Sequence, residues 1–255
     1  MPYQTTAHNG KLFLHAGGSI ASALPETAQF LDHAQSAVFL PYAVHDYDAY
    51  TAHMLSQFNA FGVSLVGLHS IGDPVDALSN ADAIVVGGGN SFRLVKALHE
   101  LGLIEPIRRL VEDGTPYWGA SAGANIACPT IRTTNDMPIV EPPSLKALAL
   151  VSFQTNPHYI DEILADDEMK ETRESRIKEF LEENDVPVVG LREGSWLIAN
   201  GNKMMMRGVG GSVLFRRGRP AEAIEPGQDV SFLLHEPSKF DAPLPRGLGS
   251  VTRPC

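Results

Sequence analysis

Ala83-Ile84-Val85-Val86, preceded by Asp82, contains no polar alternation, and Gly87-Gly88-Gly89-Asn90 leads directly from it into the helix-period stretch Ser91–Leu101. A short unbroken apolar run suits a strand covered on both faces, as in a parallel sheet between helical layers. The same texture recurs on either side. Lys11–His15, Ser36–Leu40, Val63–His69, Asp82–Gly87, Pro116–Gly119, Leu148–Phe153 and Val186–Leu191 read as strands. Ala23–Ala34, Tyr47–Phe61, Ser91–Leu101, Glu105–Glu112 and Glu171–Glu183 read as helices between them. The expected fold class is α/β, three layers deep (αβα), with a mostly parallel sheet.

After Leu191 the pattern changes to short strands separated by turn residues: Ser195–Ala199, Lys203–Arg207, Val213–Arg216 and Val230–Leu234. Asn200-Gly201 is a hairpin signal, because both residues accept the left-handed conformations that a tight two-residue turn requires. The C-terminal quarter is therefore expected to be an antiparallel hairpin extension of the same domain. The reading is one catalytic domain over residues 1–235 and a Pro/Gly/Arg-rich tail over 236–255 that is poorly ordered. Met204-Met205-Met206 is assigned to packing, since adjacent strand residues point to opposite faces and cannot converge on one soft metal.

With 255 residues, 44% of them hydrophobic and 20% charged, the chain can build a core without disulfides or structural metal. Its only cysteines are Cys128 and Cys255, which excludes a disulfide framework and fits a reducing compartment. A formal net charge of −10 with no basic block argues against a nucleic-acid partner. Met1–Asn9 has neither the basic nor the apolar region of a secretion signal, and no run approaches the roughly 18 apolar residues of a membrane span. No membrane partner is expected, and the location read is cytoplasmic.

Chemistry concentrates at Gly119-Ala120-Ser121-Ala122-Gly123, which follows the strand-like Pro116-Tyr117-Trp118 and precedes a run of small residues. This is a G-x-S-x-G elbow between a strand and a helix, and such a turn pushes the central hydroxyl out at the C-terminal edge of the sheet. The Ala122 amide at the start of the helix and those of Gly88 and Gly89 are placed to form an oxyanion hole. His158, in Gln154-Thr155-Asn156-Pro157-His158 just past the strand read at Leu148–Phe153, is the preferred base. His15 and His69 also end strands and stay as alternatives, whereas His33, His53 and His99 fall on helices and are read as packed or solvated. Two carboxylates can orient the imidazole. Glu193, after the strand Val186–Leu191, gives the order Ser, His, Glu; Asp136, in Thr133-Thr134-Asn135-Asp136, gives Ser, Asp, His. Chain order cannot decide between them, because triads are defined by geometry.

The segment from Gly119 through Arg132 and Asp136 to Val140, with Asn156-Pro157-His158 and Glu171-Thr172-Arg173-Glu174-Ser175-Arg176, resembles the peptidase E family over most of the chain up to about Leu234. The resemblance implies a sheet akin to those of flavodoxin and class I glutamine amidotransferases. It further implies Ser121 as nucleophile, His158 as base, and hydrolysis of dipeptides with an N-terminal aspartate through an acyl-enzyme. Asp136 and Glu193 both match positions proposed in the family for the third member, with Glu193 preferred.

Such a substrate carries two carboxylates and an ammonium. Arg is the natural carboxylate clamp, so Arg132, Arg173 and Arg176 are the candidates, with Asn90 or Asp136 for the ammonium. Arg173 and Arg176 share a helix face, where pairing with neighbouring glutamates is the competing role. No cofactor is expected, and metal-ligand spacings are absent. The partner expected is a small peptide, the assembly a monomer or homodimer. The competing readings are a β-aspartyl, cyanophycinase-like hydrolase of the same fold and a noncatalytic small-molecule binding protein.

Overall fold

The computed structural model describes residues 10–18, 23–161 and 171–244. Met1–Asn9, the end of the tail and Cys255 lie outside them. Seven strands form the main sheet: β1 (Lys11–His15), β2 (Ser36–Leu40), β3 (Ser64–Gly67), β4 (Ala83–Val86), β5 (Tyr117–Ala120), and further along the chain β8 (Ser195–Asn200) and β9 (Lys203–Gly208). Their order is β3-β2-β4-β5-β1-β8-β9. The first five are mutually parallel, and β8 and β9 add an antiparallel hairpin at the β1 edge. The hairpin turns through Gly201, at φ 58°.

The apolar run that pointed to this architecture behaves as its composition requires. In β4, Ile84 and Val86 join one buried cluster with Leu12 and Leu14, whereas Ala83 and Val85 join another with Phe13, Trp118 and Trp196. No face of the strand meets water, so no polar alternation is possible. Helices α1 (Leu24–Phe30), α2 (Tyr47–Phe58), α3 (Pro74–Ser79), α4 (Ser91–Glu100), α5 (Ile104–Glu112) and α6 (Ala122–Ile126) connect the parallel strands or follow the last of them. Among the described residues no helix is long and apolar enough to cross a membrane.

A second, four-stranded sheet departs from the expectation of one continuous sheet. Its members are β6 (Gln154–Tyr159), β7 (Val188–Arg192), β10 (Ser212–Phe215) and β11 (Glu222–Ile224), in the order β11-β10-β7-β6. Between β6 and β7 comes α7 (Arg173–Glu183).

Leu148–Phe153 is not a strand. Its amides bond instead to the carbonyls at the end of α6 and just beyond it: Leu148 to Ile126, Leu150 to Ala127, Ala149 to Cys128. Those carbonyls have no intrahelical donors, and the segment supplies them. The strand begins one residue later, at Gln154, and contains His158 within it. Val230–Leu234 is likewise not extended; Ser231–Leu234 forms a 3-10 turn, with Asp229 accepting hydrogen bonds from the Ser231 amide and hydroxyl.

The first part of the expected tail, residues 236–244, is tied to the body. Lys239 and Asp185 exchange backbone hydrogen bonds, Ala242 and Leu244 donate to Glu183 and Glu182, and the Ser238 hydroxyl bonds the Ser152 carbonyl.

Candidate active site

β5 runs into α6 through Ser121, whose backbone lies at φ 53°, ψ −109°. A non-glycine residue at positive φ is costly and persists only where its surroundings hold it. Two bonds hold this one: the Ser121 amide donates to the His15 carbonyl at 2.9 Å and the Ser121 carbonyl accepts from the Asn125 amide at 2.9 Å. The flanking glycines are sterically required, since a β-carbon on Gly119 would meet the Gly123 carbonyl oxygen at 2.5 Å and one on Gly123 would strike the Val86 carbonyl.

His158 is delivered by a β-bulge. The parallel ladder of β6 and β7 pairs Pro157 with Leu191 and resumes at Tyr159 with Arg192, leaving His158 as the extra residue at φ 56°. A bulge turns the side chain out of the regular alternation. Its Nε2 lies 2.8 Å from Ser121 Oγ, and its Nδ1 lies 2.9 Å from Oε1 of Glu193, the residue after β7. Just outside this contact, Arg192 grips Asp161 with two bonds of 2.5 and 2.8 Å and also donates to the Gly210 and Ser212 carbonyls. The guanidinium holds the Asp161 carboxyl below the usual carboxylate range. The ion pair ties the ends of β6 and β7 together where the histidine and the glutamate emerge.

Asp136 occupies the other side of Ser121. Its Oδ2 accepts from the Ser91 amide at 2.7 Å and from the Thr134 hydroxyl at 3.0 Å, at the head of α4. It borders a small hollow shared with Ser121 and His158. Of the two carboxylates, Glu193 is the one brought to the imidazole.

His15, at the end of β1, is buried between the rings of Trp118 and Trp196. Its Nδ1 accepts from the Gly17 amide at 3.0 Å. Burial lowers its pKa to about 4, with the nearby His158 acting in the same direction and Glu193 opposing. It stands behind the reacting groups as a neutral imidazole. His69 pairs with Asp48 at 2.9 Å and packs on Tyr47, and it lines neither cavity beside Ser121.

In front of Ser121 and His158 opens a cavity of about 440 Å³, floored by Gly17, Gly88 and Gly89. Its outer wall is one face of α2: Tyr50, His53, Met54 and Gln57. Their i, i+3, i+4, i+7 spacing is visible in the sequence, but it signals only a helix face. Burial raises the Tyr50 pKa, and a hydrogen bond from the Gly88 amide partly opposes the rise. Gly89 takes φ 128° against the Ala43 carbonyl. Ala122 is the first residue of α6, where an amide has no intrahelical acceptor.

Of the remaining sequence candidates, Asn90, Arg132 and Arg176 are engaged elsewhere. Asn90 uses Oδ1 to cap α4 and Nδ2 to reach the Met137 carbonyl. Arg132 is paired with Asp241 at 2.7 Å, bonded to Asn184 and stacked over Phe240, so it anchors the docked tail. Arg176 pairs with Glu171 at 2.7 Å, the competing role recognised in the sequence. Arg173 opens α7, with Nη1 buried and, among the described residues, without a hydrogen-bond partner. None of the three arginines lines either cavity at Ser121. Among the described residues no group of three or more His, Cys, Asp or Glu is arranged to hold a metal ion.

Comparison with known proteins shows the family. The chain is 49% identical to the Peptidase E of Streptomyces coelicolor, over 89% of this chain and 93% of that one. It is 41% identical to the "Probable alpha-aspartyl dipeptidase" of Drosophila melanogaster, over 88% and 94% respectively. The crystal structure of a peptidase from an acI-B1 Actinobacterium has the same fold, with a TM-score of 0.64 at 17% identity, covering 89% of this chain and 98% of that one. The description of Peptidase family S51 matches residues 12–207, from β1 into β9, and so takes in the serine elbow, the bulge histidine and the glutamate after β7. The chain belongs to peptidase family S51.

Proposed function

We propose that this peptidase hydrolyses dipeptides with an N-terminal aspartate by acyl transfer to Ser121. The observation that carries the reading is the continuous relay Ser121 Oγ, His158 Nε2, His158 Nδ1, Glu193 Oε1, with heavy-atom separations of 2.8 and 2.9 Å. These are the distances at which a base can take a proton and a carboxylate can fix its tautomer. His158 removes the hydroxyl proton as Ser121 Oγ attacks the aspartyl carbonyl, and returns it to the leaving amine. Water, activated by the same imidazole, then releases aspartate. Glu193 keeps the proton of neutral His158 on Nδ1, so that Nε2 faces the serine, and stabilises the imidazolium once it forms. The amides of Ala122 and Gly89 are the donors assigned to the developing oxyanion. The Gly88 amide, which lies near the Tyr50 hydroxyl, is the further candidate donor.

The preference for aspartate rests on kinship with the dipeptidases named above. The large cavity, walled by Tyr50, Met54 and Trp118, suits the leaving residue. Purified wild type and Ser121→Ala should be compared on Asp-Leu, β-Asp-Leu, Glu-Leu and Ala-Leu, alongside labelling with a fluorophosphonate. Turnover confined to Asp-Leu, with turnover and labelling both lost in Ser121→Ala, is the expected result. Preference for β-Asp-Leu would move the reading to an isoaspartyl hydrolase, and absence of both turnover and labelling would end it.

A further inference from the structure

The small hollow behind Ser121 has a lining unlike that of the large cavity. It measures about 30 Å³ and is bordered by Ser91, Asn125, Thr134, Asp136 and His158 beside the serine itself. That volume accommodates a group the size of one water molecule. Asn125 lies one helical turn beyond Ser121, on the same face of α6, and is 1% exposed. Its Nδ2 donates to the Thr155 carbonyl at 3.0 Å. A carbonyl only accepts, so the orientation of the amide is set by that bond. Its Oδ1 is buried and, among the described residues, has no hydrogen-bond partner. A buried acceptor left unpaired keeps its full desolvation penalty, which marks it as a group awaiting a donor. Asp136 adds a carboxylate at the same hollow, and its bonds from Ser91 and Thr134 both go to Oδ2, leaving Oδ1 out of them.

We infer that this hollow is the subsite for the substrate's α-ammonium, held by Asn125 Oδ1 and the Asp136 carboxylate. The inference rests on the peptidase reading above and adds to it a way of measuring where the peptide begins. In an amino-terminal residue the nitrogen lies about 2.5 Å from its own carbonyl carbon, so a site that receives it must border the nucleophile, as this hollow does. Three N–H donors on a compact cation match a pocket of acceptors with room for one heavy atom. A chain extended beyond that nitrogen does not fit, which restricts cleavage to the first peptide bond.

The test uses Asp-Leu and succinyl-leucine, which is the same skeleton with hydrogen in place of the ammonium. Succinyl-leucine is followed by turnover, or by competitive inhibition of Asp-Leu hydrolysis where turnover is too slow. Wild type, Asn125→Leu and Asp136→Asn are compared, with thermal melting as the check on folding; Asp136 is the less buried position and serves if Asn125→Leu does not fold.

The expected result is that the preference for Asp-Leu over succinyl-leucine falls about tenfold or more in each variant, the range for hydrogen bonds to charged groups. It should fall mainly through KM. In wild type the preference should also decline above the pKa of the α-amino group, about 8. Equal losses on both compounds, leaving the preference unchanged, would overturn the subsite while the peptidase reading stands on Asp-Leu turnover and serine labelling. Loss of those two in wild type would overturn both.

Discussion

No side chain fits between residue 17 and the imidazole of His158: a β-carbon on Gly17 would lie 2.5 Å from Nε2 of that ring and 3.1 Å from the β-carbon of Ser121. The glycine after β1 thus forms a wall against which the base rests, and its φ of 113° is a conformation other residues rarely adopt. Gly17→Ala should therefore push the imidazole off its line with Ser121. The expected effect is a fall in kcat of about a hundredfold or more, the cost of misplacing a reacting group by about 1 Å. KM should change little. Steady-state kinetics on Asp-Leu, with circular dichroism to confirm the fold, will read it.

Glu193→Gln and Asp136→Asn should behave differently, because only Glu193 touches the imidazole. Removing the charge at Glu193 should lower kcat and slow fluorophosphonate labelling of Ser121, by about 10²- to 10⁴-fold as an upper range from comparable triads. Exposure of Glu193 to solvent places the effect toward the lower end. Asp136→Asn should leave the labelling rate within about threefold of wild type. Equal slowing of labelling in both variants would contradict the assignment.

His15 predicts a pH dependence of stability. In the unfolded chain its pKa is near 6.5 and in the folded protein about 4. Between those values the unfolded state binds the extra proton, so stability falls as pH drops through this window. The loss traceable to His15 amounts to about 3 kcal/mol at most. Urea unfolding at pH 7, 5.5 and 4 should show a shallower decline for His15→Phe than for wild type. That variant should already be weaker at pH 7, because the Gly17 amide loses its acceptor.

Cys128 should resist thiol reagents in the native protein. It is fully buried beside Thr155, and burial raises its pKa to about 12, so almost no thiolate exists at neutral pH. Peptide mapping after iodoacetamide should find Cys128 unmodified in buffer and alkylated in denaturant. Native-state alkylation would show that the packing around α6 opens more readily than the structure implies.

The parts of the molecule that could be read from the sequence are those decided by local rules. The β4 run, the Asn200-Gly201 hairpin and the strand-to-helix elbow at Ser121 each carry their cause within a few residues. β6 does not. Gln154-Thr155-Asn156-Pro157-His158-Tyr159 is polar and contains a proline, whereas the apolar Leu148–Phe153 beside it looks more like a strand. The polar segment becomes the strand because distant partners satisfy it: Gln154 bonds the Thr130 carbonyl, Asn156 the Thr133 carbonyl, and β7 supplies the ladder.

Arg132 likewise takes a distant partner. Its partner Asp241 lies 109 residues away, and no local pattern announces such a pair. The choice between Asp136 and Glu193 was open because both follow plausible turns, and only the bulge at His158 decides which way the imidazole faces. Asn125 left one cue, a lone amide in a helix of small and apolar residues at i+4 from the serine.

The division of the strands between two sheets bears on when the protein becomes active. Ser121 is carried by β5 of the seven-stranded sheet, whereas His158 and Glu193 come from the ends of β6 and β7 in the four-stranded one. Neither sheet holds all three of the proposed reacting groups. The seven-stranded sheet alone would present the proposed nucleophile without its base, and the four-stranded sheet alone the base without the serine. Under the proposed mechanism, hydrolysis therefore requires the two sheets to be packed against each other.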